Sequence, residues 1–219
     1  MKRLAWMIMP VFFLFAGGAA AQSQKMGITA GVNMSQFNGV GNVSTKNGVI
    51  VGGFVEYDFV GGISLQPELL FSMKGASGTY THNQLSLQPS PVVSGEQYDW
   101  VLNYVEIPVL IKFNVLSMPI LPFGVDLYAG PDFAFNVASQ NKTTLGDITT
   151  TTNQAGNTRP FDFNILVGGG PNLDLGFTTL GVEVRYTFGT GSVFKAENLE
   201  APSSDTKNGV WSIMASAAF

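Results

Sequence analysis

The chain has 219 residues, of which 45% are hydrophobic and only 12% charged, with 26 Gly, no Cys, one His and a formal net charge of −4. A soluble domain carries roughly 25% charged residues, so much of this chain is not built to face water. The lack of Cys excludes a disulfide scaffold, Cys-ligated zinc and thiol catalysis, the lone His82 excludes a multi-histidine metal site, and an acidic chain without clustered Lys/Arg excludes nucleic acid as a partner; no cofactor is implied.

Residues 1–21 read as a cleaved signal peptide. Lys2 and Arg3 form its basic head, Leu4 to Phe15 its apolar stretch, and Ala19-Ala20-Ala21 a small-residue site before Gln22. The apolar stretch contains Pro10 and falls well short of the roughly 20 residues of a membrane helix. Cleavage leaves residues 22–219 as one exported domain, and removing Lys2 and Arg3 leaves 9 Lys+Arg against 15 Asp+Glu, a net charge of −6.

From there on, apolar residues recur with period two, the spacing of strands. Eight strands are predicted over Met26–Met34, Gly48–Phe59, Ile63–Lys74, Trp100–Val115, Phe123–Val137, Phe161–Leu175, Leu180–Gly189 and Gly209–Phe219. In the third, Ile63, Leu65, Pro67, Leu69, Phe71 and Met73 oppose Ser64, Gln66, Glu68, Leu70, Ser72 and Lys74. Short links at Val60-Gly61-Gly62, Leu116–Pro122 and Gly176–Thr179 alternate with long polar stretches at Ser35–Asn47, Gly75–Asp99, Ala138–Pro160 and Thr190–Asn208. Tight turns on one rim and long loops on the other are the pattern of an outer-membrane barrel. A strand of about 10 residues rising 3.3 Å each and tilted about 45° covers roughly 23 Å, close to the apolar band of that membrane.

Period two does not say which face is inside, and a secreted lipocalin-like barrel with an apolar cavity would show the same alternation. Charge separates the two. A soluble barrel needs many charges on its outer face, whereas these strands offer Lys74, Lys112, Arg185 and a handful of carboxylates, few enough to fill a lumen that side chains just occupy. The fold class predicted is therefore all-β, an eight-stranded antiparallel up-and-down transmembrane β-barrel in the bacterial outer membrane, with lipid as its surroundings. In the last strand Trp211, Ile213, Ala215, Ala217 and Phe219 share one face, and a terminal Phe closing such a strand looks like the signal taken up by the outer-membrane assembly machinery.

Several segments together resemble the porin-family, PorT-like outer-membrane β-barrel domain proteins. They are Gly27-Ile-Thr-Ala-Gly-Val-Asn33, Leu65-Gln-Pro-Glu-Leu-Leu-Phe71 with Met73-Lys-Gly75, Leu102-Asn-Tyr-Val-Glu-Ile-Pro-Val-Leu110, Tyr128-Ala-Gly-Pro131, Asp162 to Gly170, and Gly181-Val-Glu-Val-Arg-Tyr-Thr-Phe-Gly189. The resemblance implies an eight-stranded outer-membrane barrel of diderm bacteria, mostly without assigned activity. The last strand, Ile213-Met-Ala-Ser-Ala-Ala-Phe219, has smaller side chains than the family pattern.

The inward carboxylates Glu56, Asp58, Glu68, Glu106, Asp126, Asp132, Asp162, Asp174 and Glu183 outnumber Lys74, Lys112 and Arg185 by nine to three. Buried charge is costly unless paired, so a lumen charge network of Glu56, Glu68, Glu106, Lys112, Asp126, Glu183 and Arg185, centred on Arg185 and Lys112, is expected to plug the barrel. An acidic lumen passing cations is the alternative. His82 with Thr79, Thr81 and Ser86 keeps a small lipid-modifying enzyme as a further alternative, because a His can activate a Ser hydroxyl; no local carboxylate orients it, and no catalytic residue is assigned. Gly168-Gly-Gly-Pro-Asn-Leu-Asp174 lacks the following helix of a phosphate loop and reads as strand, with a bulge or edge-like spot at Pro171. Outward Tyr57, Phe59, Phe113, Phe123, Phe161, Phe188, Trp211 and Phe219 fit interfacial girdles. The polar loops at Gly75–Asp99 and Ala138–Pro160 are expected to be mobile and to carry any contact with an extracellular partner; a periplasmic partner is the other possibility.

Overall fold

The computed structural model describes residues 23–38, 43–59, 61–80, 96–117, 122–194 and 206–219. The signal-peptide segment, His82 with Thr81 and Ser86, and the middle of the last long stretch lie outside these residues. Nine strands follow in order: β1 (Ser23–Asn38), β2 (Val43–Asp58), β3 (Ile63–Tyr80), β4 (Glu96–Ser117), β5 (Phe123–Leu145), β6 (Ile148–Asn153), β7 (Phe161–Asp174), β8 (Thr179–Gly189) and β9 (Lys207–Ala218). Eight of them form a ring in the order β4-β3-β2-β1-β9-β8-β7-β5, closed by the pairing of β4 with β5, and all neighbours are antiparallel. This is the eight-stranded up-and-down barrel expected from the alternation.

The ring closes where the two ends of the domain meet. β1 pairs with β9 from Gly27–Ala218 to Asn38–Lys207, and Met26 and Phe219 exchange backbone hydrogen bonds of 3.1 and 2.8 Å at the rim. No sheet edge is left in the wall. The faces follow the period-two pattern. On β3, Ser64, Gln66, Glu68, Leu70, Ser72 and Lys74 are buried inside, while Leu69 is 52% exposed outside. Ile28, Phe71, Phe113, Leu127, Ile165, Val182 and Trp211 are likewise exposed, and no charged residue interrupts the outward faces of β7, β8 and β9 between Phe161 and Leu173, Leu180 and Phe188, and Trp211 and Ala217. A continuous apolar belt around a barrel is far larger than a soluble surface tolerates and is what hydrocarbon requires.

Seven of the eight expected girdle aromatics are exposed, but Tyr57 is buried at 6%. Near the loop rim Tyr186 packs edge-on against Phe188, with ring centroids 4.4 Å apart, and lies 4.7 Å from Trp211. Between β2 and β3 the chain reverses through Gly61 and Gly62, whose φ values of +83° and +74° are open to glycine and strained for other residues.

The strands run further than predicted at the loop end. The stretch at Ser35–Asn47 is mostly strand, since β1 continues to Asn38 and β2 starts at Val43. In place of a mobile loop after Val137, β5 continues to Leu145, turns at Gly146-Asp147, with Gly146 at φ +58°, and returns as β6. The reason is local: β-branched Thr favours strands, and a two-residue Gly-Asp link between two such runs is a hairpin turn. Among the described residues β6 pairs only with β5 and stands outside the ring, while the β5 arm of the hairpin stays paired with β4 up to Gln97–Thr144. A register shift opposite Asn103 and Tyr104 reverses the alternation of β5 above Val137 and turns Ser139 inward, where its hydroxyl donates to Asn136 Oδ1 at 2.7 Å. Of the two expectations at Pro171, the edge-like spot and not the bulge is found, since Gly170 and Pro171 have no pair on β8. β7 keeps one register with both neighbours through it, and the missing proline N–H costs ladder bonds to β8 without displacing the strand.

Because β6 lies beyond the ring and only Thr143 and Thr144 of the removed residues pair with β4, replacing residues 143–150 by an Asn-Gly turn, which rejoins the paired Lys142 and Thr151, is expected to change stability by no more than about 1 kcal/mol. The folded protein should still migrate differently from the boiled form on a gel. Loss of that shift would mean that the hairpin is needed to fold the barrel.

Candidate functional site in the barrel lumen

An eight-stranded barrel has room inside for side chains and little else, so every inward charge must find its partner across the lumen. Three groups of charges are stacked along the axis. Nearest the turns, Lys112 of β4 lies 2.8 Å from Glu56 Oε2 and 3.3 Å from Asp126 Oδ2. One ammonium thus serves carboxylates from strands on either side of it. At the same rim Asp58 accepts hydrogen bonds from Ser23 and Ser64 at 2.6 and 2.8 Å and pairs with Lys25 at 3.5 Å.

The middle group is the most buried. Arg185 of β8 donates Nη1–H to Glu68 Oε2 at 2.8 Å and Nη2–H to Glu68 Oε1 at 3.0 Å, and both side chains are 1% exposed. This two-pronged geometry is the one that guanidinium offers a carboxylate. Glu183 Oε2 lies 3.6 Å from Nη2 and accepts the Tyr128 hydroxyl proton, while Nε–H donates to that hydroxyl at 3.4 Å. The Arg185 guanidinium carbon is 5.2 Å from the centre of the Tyr128 ring. Gly168 makes room for this ring, because a Cβ there would meet it at 2.6 Å. Gln66 completes the set by donating Nε2–H to Glu68 Oε1 at 2.7 Å.

Higher up, Lys74 forms a buried ion pair with Glu106 and sits 5.3 Å from the Tyr104 ring. Asp132 accepts from Asn164 Nδ2 at 2.8 Å beside them. Of the residues expected in a network centred on Arg185 and Lys112, Glu68 and Glu183 meet Arg185, and Glu56 and Asp126 meet Lys112. Glu106 joins neither and belongs with Lys74. Asp174 stays at the turn rim, where it accepts from the Gly176 N–H at 2.8 Å.

Sequence reasoning expected a polar lumen throughout and missed its upper end. There Phe37, Ala76, Trp100, Leu102, Tyr104, Ala134, Val193 and Phe194 form one buried cluster. Phe194 lies edge-on to Trp100 and Phe37, with centroid distances of 4.8 and 5.5 Å. Its segment folds over the barrel mouth, with Val193 accepting from Arg159 N–H at 2.9 Å and donating to the Thr206 carbonyl at 2.8 Å. The signals were Val193-Phe194 inside a polar stretch, and Trp100, Leu102 and Tyr104 at the same parity as Glu106. At the opposite end the lumen opens into a cavity of about 650 Å³ whose lining includes Glu56, Asp126, Glu183, Gln66, Phe54 and Lys112. By the rule that turns face the periplasm, this vestibule opens there.

Removing one partner of a buried ion pair leaves an uncompensated charge, whereas replacing both with apolar groups does not. Arg185→Met is therefore expected to destabilise the barrel by about 3–5 kcal/mol in urea unfolding, and the double variant with Glu68→Leu to recover most of that loss. Equal losses in the single and double variants would show that the pair is not coupled.

The model of the outer membrane protein beta-barrel domain family matches residues 20–195. No curated protein matches the chain. Among solved structures the chain is similar to Neisserial surface protein A, at 12% identity and a TM-score of 0.47 over 91% of this chain and 99% of that one. It is also similar to OprG of Pseudomonas aeruginosa, at 11% identity and 0.47 over 91% and 98%, and to Ail, the attachment invasion locus protein of Yersinia pestis, at 12% and 0.41 over 90% and 100%. With the family model covering well over half of its length, the chain belongs to the outer membrane protein β-barrel domain family and resides in the bacterial outer membrane.

Proposed function

We propose that this barrel is a structural or interaction protein without enzymatic activity, closed to ions along its axis, and that within the family it stands with the PorT-like proteins whose segments it resembles. The observation that carries the reading is the stacking of the fully buried Arg185–Glu68 pair beneath the Phe194–Trp100 cluster. Two successive obstructions of different chemistry lie across a lumen already filled by side chains. Its apolar belt takes outer-membrane lipid as its solvent. The strand carrying outward Trp211, Ile213 and Phe219 is what the assembly machinery would engage, and the surface beyond the membrane, hairpin included, is where an extracellular protein would bind.

In a planar bilayer the folded protein is expected to be electrically silent; defined cation-selective steps that shrink in Glu68→Gln or Glu106→Gln would replace this reading by a narrow pore. Phe219→Ala is expected to lower the fraction of chains assembled in the outer membrane while leaving refolding in detergent unchanged, as the backbone pairing with Met26 does not need the ring. Equal assembly of the two chains would remove Phe219 from the signal.

A further inference from the structure

We propose that the periplasmic vestibule is a binding site for an organic polycation, a flexible chain carrying several ammonium groups. A cavity of about 650 Å³ is within the range that holds small molecules. Its lining carries five carboxylates, Glu56, Asp58, Asp126, Asp174 and Glu183, against Lys25 and Lys112. Lys112 is divided between Glu56 and Asp126, and Lys25 reaches only Asp58, so the ion pairs within the vestibule leave it an excess of negative charge. Above the vestibule, Arg185 is shared between Glu68 and, at 3.6 Å, Glu183, so three cations face six carboxylates and the excess remains negative.

A second observation points to a donor-bearing ligand. Gln66, also in the lining, is 4% exposed and gives its N–H to Glu68, yet its Oε1 has no hydrogen-bond partner among the described residues. A buried carbonyl oxygen without a donor is costly, and an N–H group from a ligand would satisfy it. The spread of the carboxylates selects the kind of cation. They come from β2, β5, β7 and β8, and among the described residues no three acidic or histidine side chains gather closely enough to hold a metal ion. A single compact cation cannot reach all of them at once. Ammonium groups separated by methylenes can answer several, with the methylenes against Phe54, which also lines the cavity. The site is built from residues below Arg185, and its test reads binding and not current, so it stands apart from the reading of a closed axis.

The probe is spermine, titrated calorimetrically at low salt into the folded protein purified from outer membranes. One saturable site per barrel is expected, weakened by added salt and not displaced by an equal concentration of Mg²⁺. Gln66→Leu and the pair Glu56→Gln with Asp126→Asn are expected to weaken binding, the pair by about fivefold for each charge removed. Lys25→Met should strengthen it by a similar factor, a direction that damage to the fold does not produce. Absence of saturable binding, equal affinities across these variants, or displacement by equimolar Mg²⁺ would each overturn the proposal. The shift in gel mobility on boiling verifies that each variant is folded before titration.

Discussion

Inside a bilayer a backbone N–H or C=O has no water to turn to, and this constraint governs the molecule. A sheet can meet it only by having no edge, so the first and last strands of the domain must find each other. They do so along β1 and β9, from Gly27–Ala218 to Asn38–Lys207. Closure with eight strands then sets the bore, and a bore that narrow cannot hold a hydrated charge. From there the lumen chemistry follows: Glu56, Asp58, Glu68, Glu106, Asp126, Asp132 and Glu183 are each matched by a cation, a hydroxyl or an amide reaching from another strand.

The charges are graded along the axis. At the turn rim, where water enters, a flexible lysine serves two carboxylates, and small offsets of either are tolerated. In the middle, where none enters, the partners are a guanidinium and a carboxylate in a fixed two-bond geometry, backed by a tyrosine that both stacks on the cation and hydrogen-bonds to the next carboxylate. That arrangement depends on Gly168, since any side chain there would push the Tyr128 ring from its place. At the outer end charge gives way to rings. Rings thus line the loop end of the lumen, and the vestibule lies at the turn end.

The barrel itself was legible because a wall with lipid on one side and a crowded lumen on the other imposes period two on every strand. The alternation at Ile63–Lys74 and Leu180–Gly189 reappears in the structure without a shift of face. What could not be read was which inward residues meet. Glu68 and Arg185 are 117 residues apart, and their contact depends on the stagger of all the strands between them, which no local pattern encodes. The same holds for Glu106, which finds Lys74. The hairpin is hidden for another reason: a run such as Ile148–Asn153 has the polarity of a loop, while the β-branched shape of its Thr residues favours strand.

β5 is 23 residues long, and its outward apolar rungs end at Val137. The eight residues from Ala138 to Leu145 add about 25 Å of strand above that level. Over this length β5 is flanked by β4 on one side, up to the Gln97–Thr144 pair, and by β6 on the other, so the wall of the barrel is raised here as a three-stranded flap. Across the hairpin the hydroxyls of Thr144 and Thr149 lie 3.1 Å apart. The flap makes one side of the wall taller than the others, and its tip, at Gly146-Asp147, is held by backbone pairing on the β4 side almost to the turn.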